Sequence, residues 1–407
     1  MKILLISDVY FPRVNGVSTS IKTFVEQIQA LGHTVHLIAP DYSTFHQALD
    51  QEAQEDQKNW LKRIAARKIY FDPEDRLMKL SAIHALMPTL IQEKYDLVHI
   101  HTPFIAHYAG LKIAKALSVP CVETYHTFFE DYLHHYLPWI PTSIARSLAR
   151  FISKQQCNAV DAIVAPSKPM LDVLRSYGVK AEAEVIPTGL QAASFNQAGQ
   201  VNFREKYHIP HNRPMLLYVG RVAFEKNIDF LLSVVHTLKD EMPEILLVIT
   251  GEGPAEASLH KQVRNLSLEK NVKFIGYLDR ETELNACYRA ADIFVFASTS
   301  ETQGLVLLEA MAQGTPVVAI AELGTASILV EGRGALIAQE EPLDFADKVQ
   351  QLLHDRVRRE ALGLKALQYA QEEWTAQIQA ERMVNFYAKT IQKHQYKRVS
   401  LEVAEPV

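Results

Sequence analysis

The sequence predicts an α/β protein: two doubly wound, Rossmann-like domains facing one another across a cleft, with a C-terminal helix returning to the first domain. Three observations predict it. Short apolar runs alternate with helical patterns along the chain, as in parallel sheets covered on both faces. The runs fall into two series, separated by one polar stretch without an apolar period. The last long helical pattern follows both series.

In the first series the apolar runs are residues 3–6, 34–38, 97–100, 120–124, 162–165 and 184–186. Helical stretches such as 18–31 and 168–177 separate most of them. The second series comprises 215–219, 245–250, 272–275, 293–297 and 316–319. The join falls in "TGLQAASFNQAGQVNFREKY", residues 188–207. After Gly334 the chain reads as mostly helical, ending in a pattern over 374–392. The expected organisation is a first domain over residues 1–190, a second over 205–373, and a returning helix over 374–395.

A chain of 407 residues with 48 % hydrophobic content can bury two cores. The net charge of -5 and pI near 6.4 disfavour a nucleic-acid partner. Cys121, Cys157 and Cys287 are widely spaced, form no disulfide framework or CxxC pattern, and read as buried thiols in a cytosolic protein. The opening "MKILLISDVYFP" is too short in its apolar run for a signal peptide, and no stretch approaches a membrane span.

Parallel sheets bind ligands at the carboxyl ends of their strands, so the loops there carry the chemistry. After the first strand, "SDVYFPRVNGVSTS" offers Gly16 ahead of a helix with Ser18 as the expected N-cap. A glycine there admits a ligand to the backbone, and the helix start offers N–H groups to an anion. "VGRVAFEKNID" carries Arg221 and Lys226, two cations suited to a diphosphate. "TGEGPAEA" begins like a dinucleotide fingerprint, but Glu256 stands at the third small position, which excludes an NAD site.

The informative stretch is "SETQGLVLLEAMAQGTPVVA", residues 300–319. A good helix former runs over residues 304–313, with Gly314 as its stop. Glu301 sits on the loop before it and Glu309 on its second turn. The amides of Gly304, Leu305 and Val306 would form an anion site between two carboxylates able to hold polyol hydroxyls. A dipole-favoured acid beside an ordinary helix glutamate would give the same letters.

This stretch resembles the E-x7-E signature of retaining glycosyltransferases of the GT-B fold, in family four. "GRVAFEKN", "GEGP", "VAPSK" and "VIPTGL" are similar to further landmarks of that family, in the same order. The resemblance implies that the second domain binds a nucleotide sugar and the first the acceptor. Arg221 and Lys226 would hold the diphosphate, with Gly16 closing on it. Glu309 would bind the ribose, and Glu301 the transferred sugar beside the amides of Gln303, Gly304 and Leu305. Leu278 would lie near the base. No metal or other cofactor is expected, and the sequence has no DxD triad. Gln303 stands where many members have phenylalanine, and "IPTGLQ" replaces an IPNGxD-like turn. "YHTFFEDYLHHY" with "ETQG" resembles the narrower group of glucosyltransferases that use diacylglycerol, and implies that His126 lies by the reacting sugar.

The resemblance therefore implies a hexosyltransferase using a nucleotide diphosphate sugar, UDP-glucose first, on a lipid such as diacylglycerol. A GDP-mannose-dependent enzyme acting on a glycan or inositol lipid is the alternative, and a catalytically silent nucleotide-sugar binder a third. His99, His101, His107, His126, His134 and His135 cluster in sequence, with His99 and His101 on one strand face, but no acid or thiol completes a zinc spacing.

A lipid acceptor calls for contact with an anionic membrane surface, at the inner face of the membrane for a cytoplasmic protein. "PTSIARSLARFISKQQ" puts Arg146, Arg150 and Lys154 on one stripe and Ile144, Leu148, Phe151 and Ile152 on another. "KNWLKRIAARK", from Lys58, is a second basic segment of the same kind. Both also fit amphipathic helices that pack their apolar sides on the core and solvate their basic faces.

Overall fold

The computed structural model describes residues 1–13, 15–42, 59–68, 76–126, 142–196, 202–279 and 283–404. The chain divides into two units. Unit 1 is Met1–Gly189 with Ala376–Val407, and unit 2 is Leu190–Thr375.

Unit 1 carries β1 (Lys2–Ile6), β2 (Thr34–Pro40), β3 (Leu61–Ile64), β4 (Ala66–Lys68), β5 (Arg76–Met78), β6 (Leu97–Ile100), β7 (Cys121–Thr124), β8 (Ala162–Ala165) and β9 (Glu182–Val185). Among the described residues these form a parallel sheet in the order β3-β2-β1-β6-β7-β8-β9 and an antiparallel pair β4-β5. The continuous apolar character of "KILLI" follows from burial on both faces. Leu4 and Ile6 join Val98, Ile100 and Ile163 in one core, beneath the helix Ile105–Leu117. Ile3 and Leu5 point the other way, to a core shared with Phe24 and Ile28 of the helix Gly16–Ala30.

That second face is completed from the far end of the sequence. The helix Ala376–Ala404 packs on Gly16–Ala30 and contributes Ala380, Met383, Phe386 and Tyr387 to the same core. Burying Met383 and Phe386 stabilises unit 1 by about 1.5–3 kcal/mol per side chain. The basic side chain of Arg382 donates to the Val185 carbonyl at 2.7 Å, fixing the helix at the β9 edge.

Unit 2 carries β10 (Met215–Val219), β11 (Leu246–Thr250), β12 (Val272–Gly276), β13 (Ile293–Phe296), β14 (Val317–Ile320) and β15 (Ala335–Ala338). They form a parallel sheet in the order β12-β11-β10-β13-β14-β15. All five residues of β10 and of β11 are buried, as a doubly covered sheet requires.

Several expectations are corrected. The basic segment from Lys58 is not a helix: its described part forms β3 and β4, and in β3, at the sheet edge, Leu61 and Ile64 flank Lys62 and Arg63 and pack on opposite faces of the sheet. Gly334 is followed by a strand, β15, before the chain turns helical. Ser18 is not the cap of the first helix. Asn15 is, accepting from the Ser18 amide at 2.9 Å, and the helix starts at Gly16. The three cysteines are free and buried. Among the described residues no helix is long and apolar enough to cross a membrane.

Candidate active site

In each sheet the strand order reverses beside its first strand: β1 and β6 in unit 1, β10 and β13 in unit 2. Loops leaving such a pair diverge and open a crevice at the strand ends.

In unit 2 the β10 loop carries Arg221, exposed, and Lys226, in the turn Phe224–Lys226. The β13 loop carries Glu301. Lys226 Nζ and Glu301 Oε1 meet at 2.5 Å, with side chains only 15 % and 21 % exposed. The Ser298 hydroxyl donates to the Glu225 carbonyl at 3.2 Å, and Asn227 Nδ2 donates to the Ala297 carbonyl at 3.3 Å, so the two loops are sewn together. The loop after β14 adds a third support. The Gly324 amide donates to the Glu301 carbonyl at 2.8 Å, and a Cβ on Gly324 would lie 2.1 Å from the Thr302 carbonyl carbon.

Gly304 then turns the chain with φ +86°, a left-handed conformation that glycine adopts without strain. The helix is Leu305–Ala312, one residue shorter at each end than the sequence pattern indicated; Gly304 is its cap rather than its first turn. The amides of Leu305 and Val306 occupy its first turn and have no intrahelical acceptor. Gly314 ends the helix: its amide donates to Met311 and that of Thr315 to Ala310. Gln303 is buried. Glu309, on the second turn, is also buried and accepts a 2.8 Å hydrogen bond from the hydroxyl of the fully buried Tyr288. Sequence reasoning missed Tyr288 and Gly324. Tyr288 looks like any apolar residue of the helix Leu284–Ala290, and nothing in its neighbourhood advertises a partner 21 residues away.

Gly251 and Gly253, the two fingerprint-like glycines, support the Arg221 loop. Val222 donates to Glu252 and accepts from Ala255, each at 3.0 Å, and a Cβ on Gly253 would lie 2.3 Å from the Val222 carbonyl oxygen. Leu278, two residues past β12, is partly buried against the unit 2 core beside the exposed Tyr277.

In unit 1 the β1 and β6 ends meet through Asp8 and Thr102. The Thr102 hydroxyl donates to Asp8 Oδ2 at 2.8 Å, and the Ala106 amide donates to the same oxygen at 3.0 Å, so Asp8 caps the helix Ile105–Leu117 from another element. Burial pushes the Asp8 carboxyl up to about 6 against these hydrogen bonds. Gly16 is exposed at the start of its helix, with open space where a Cβ would stand.

The histidines lie beside Thr102. His99, on β6, is held at both nitrogens, by the Tyr387 hydroxyl at 2.6 Å and Thr124 Oγ1 at 2.7 Å. His101 Nδ1 lies 3.0 Å from His126 Nε2. Burial lowers His99 to about 3 and the partly exposed His126 to about 4, and lowers His101 well below its usual value. His107 is paired with buried Glu123 at 3.0 Å. Among the described residues no group of three or more His, Cys, Asp or Glu side chains is placed to hold a metal ion. His134 and His135 lie outside the described residues.

This cluster makes unit 1 acid-sensitive. Histidines whose folded pKa is lowered leave the unfolded chain binding more protons below pH 6.5, so stability falls as pH drops towards their folded values. Asp8, raised to about 6, opposes this between about pH 6 and 4, and burial raises the Glu123 carboxyl too, but these are two carboxyls against three histidines. The melting temperature is expected to drop by roughly 5 °C or more between pH 7 and pH 4.5. Scanning calorimetry of wild type and His99→Gln, whose slope should be shallower, checks this.

The helix Thr142–Ala159 answers the packing question posed by its sequence. Ala145, Ala149, Ser153 and Cys157 face inward, and the Ser153 hydroxyl bonds Tyr125 at 2.9 Å. Ile144 and Phe151 are 57 % and 58 % exposed, and Leu148 and Ile152 are exposed beside them. The helix thus packs on the core through its small residues, while the larger apolar stripe named from the sequence stays exposed. Arg146, Arg150 and Lys154 are exposed too; Arg150 lies over the Tyr177 ring at 5.7 Å, and Lys154 lies against Gly178.

A doubly wound parallel sheet in each unit, with the cationic and acidic loops at the reversal point of the second, is the architecture of glycosyltransferases of the GT-B fold. Residues 14–193 match the family described as Glycosyltransferase Family 4, and residues 200–369 match Glycosyl transferases group 1. Over 324 residues the chain is 33 % identical to the Alpha-monoglucosyldiacylglycerol synthase of Streptococcus pneumoniae (strain ATCC BAA-255 / R6), covering 78 % of this chain and 71 % of that protein. It is 30 % identical to Sulfoquinovosyl transferase SQD2 of Arabidopsis thaliana over 381 residues, 90 % of this chain and 69 % of that one. Among solved structures, Anabaena Alr3699/HepE in complex with UDP superposes with a TM-score of 0.75 at 16 % identity, covering 96 % of this chain and 100 % of that one. The chain belongs to the family four, group 1 glycosyltransferases.

Proposed function

We propose that this glycosyltransferase moves a hexose, with retention, from a nucleotide diphosphate sugar to a membrane lipid: glucose from UDP-glucose to diacylglycerol. The bond between the anomeric carbon and the diphosphate oxygen breaks, and the acceptor oxygen bonds to the same face of that carbon. The acceptor proton passes to the departing phosphate oxygen. Arg221, Lys226 and the helix-start amides beside Gly304 stabilise the charge that develops on the leaving group. A diphosphate at Lys226 shares the ammonium with Glu301, which turns its carboxylate to the sugar hydroxyls. Glu309, aimed by Tyr288, takes the ribose, and Leu278 packs near the base. His126 donates to a sugar hydroxyl.

The observation that carries the lipid acceptor is the exposed apolar stripe of the helix Thr142–Ala159, bordered by Arg146, Arg150 and Lys154. Such a surface suits the boundary of an anionic bilayer. The printed names of two relatives, a monoglucosyldiacylglycerol synthase and a sulfoquinovosyl transferase, support the same reading. The enzyme then works peripherally, on the cytoplasmic face of the membrane.

Product analysis by mass spectrometry with UDP-glucose, UDP-galactose and GDP-mannose, each with diacylglycerol in phosphatidylglycerol vesicles, tests the proposal. A glucosyl diacylglycerol product is expected from UDP-glucose. A mannosylated inositol lipid or glycan in a parallel acceptor panel, without the glucolipid, would replace it. Phe151→Asp is expected to weaken sedimentation with phosphatidylglycerol vesicles at least about tenfold, because one large apolar side chain is worth about 1.5–3 kcal/mol. Arg146→Ala should weaken it several-fold, at about 1 kcal/mol per cation near an anionic surface. Unchanged binding by Phe151→Asp would remove this helix from the membrane contact.

A further inference from the structure

We propose that His101 is a positioning residue for the transfer: it donates from Nδ1 to His126 Nε2 and so holds His126 in the tautomer with its hydrogen on Nδ1. The part of His126 at the sugar rests on the function proposed above; the tautomer does not.

His101 stands just past β6 and His126 just past β7. Their side chains repeat the pairing one rung below, since His99 to Thr124 and His101 to His126 span the same 25 residues. The Nδ1–Nε2 distance of 3.0 Å requires one nitrogen to donate and the other to accept. His101 Nε2 decides which. It is buried and, among the described residues, has no hydrogen-bond partner. A hydrogen there would be an orphaned buried donor, which proteins avoid more strictly than an under-used acceptor. The hydrogen of His101 therefore sits on Nδ1 and is given to His126 Nε2. Burial keeps both rings neutral, so the single hydrogen of His126 is left on Nδ1.

The ring of His101 cannot easily turn away from this task. His99 lies against it with ring centroids 4.1 Å apart, and the His126 ring, near-parallel to it, has its centroid 5.3 Å away. His99 is itself clamped at both nitrogens, one of them by Tyr387 from the C-terminal helix. A neutral His126 of fixed tautomer presents one defined donor to a sugar hydroxyl, with no search over protonation states.

Two measurements test this. Long-range proton–nitrogen spectra of histidine-labelled protein at pH 7.5, assigned with His126→Gln, should show His126 Nε2 as pyridine-like and Nδ1 as pyrrole-like; the reverse pattern overturns the proposal. In kinetics, His101→Phe should lower kcat about tenfold or more with KM for the nucleotide sugar within about twofold, as for loss of one orienting hydrogen bond. His101→Asn, which returns an N–H donor near the Nδ1 position, should recover most of kcat. An unimpaired His101→Phe, or equal impairment of both variants, also overturns it. If His101→Phe does not fold, the wild-type spectra still decide. Absence of turnover with every donor would count against the proposed function while leaving the spectral result standing.

Discussion

Glu301→Gln is expected to lower kcat/KM for the nucleotide sugar about a hundredfold while shifting the melting temperature by no more than a few degrees. The carboxylate contacts Lys226 at 2.5 Å, in a place where both side chains are mostly screened from water. Glutamine keeps the shape and one acceptor but removes the charge. A hydrogen bond to a charged partner is worth about 1.5–3 kcal/mol, which corresponds to about 10- to 100-fold, and the Lys226 charge is also left without its counterion. Stability should suffer less, because Lys226 can reach solvent from a loop. Lys226→Met should fall in the same range, and the double variant should cost less than the two together, since both act on one charge pair. Steady-state kinetics with a calorimetric control checks it. Turnover by Glu301→Gln within twofold of wild type would remove this carboxylate from the sugar contact.

Gly251→Ala is expected to be among the most destabilising single-methyl changes in unit 2, costing about 2–6 kcal/mol. Two independent penalties add. The residue has φ +114°, where an L side chain is strained by about 1–3 kcal/mol. The new Cβ would stand 2.0 Å from the Gly220 carbonyl oxygen, a backbone atom that cannot swing aside, and overpacking of this kind costs about 1–3 kcal/mol. Relief requires the β10 and β11 loops to separate. Since the Gly220–Val222 segment precedes Lys226, nucleotide affinity should fall along with stability. Urea denaturation together with UDP titration would show both losses; a Gly251→Ala protein with wild-type midpoint would mean that the loops are not packed as described. Gly16→Ala is the contrasting case, with nothing within 4 Å of its Cβ.

How much of this was legible in the sequence follows from what each residue type must satisfy. Strands such as β8 and β10 are buried on both faces, so their composition alone marks them. β3 escaped because it lies at the sheet edge, where "LKRI" has one apolar residue for each face, lacks the alternation that marks a strand, and reads equally as part of a basic helix. β15 escaped because four residues between Gly334 and a helical stretch carry too little pattern. In the site, Glu301, Glu309 and Lys226 were legible because local spacing and glycine punctuation fix where they stand. Tyr288, Gly324 and Asp8 were not: each acts through a partner brought close only by the folded sheet, and nothing local differs from an ordinary core tyrosine, turn glycine or strand-end acid.

The helix Ala376–Ala404 supplies Met383, Phe386 and Tyr387 to a core whose other walls come from the first 190 residues. During synthesis those walls leave the ribosome long before their last component exists, and His99 must wait without its tyrosine while the whole of unit 2 is translated. The amino-terminal half thus emerges with an apolar sheet face uncovered and finishes folding only after residues 376–404 have been made, so a truncation that removes this helix is expected to be a defect at the opposite end of the polypeptide.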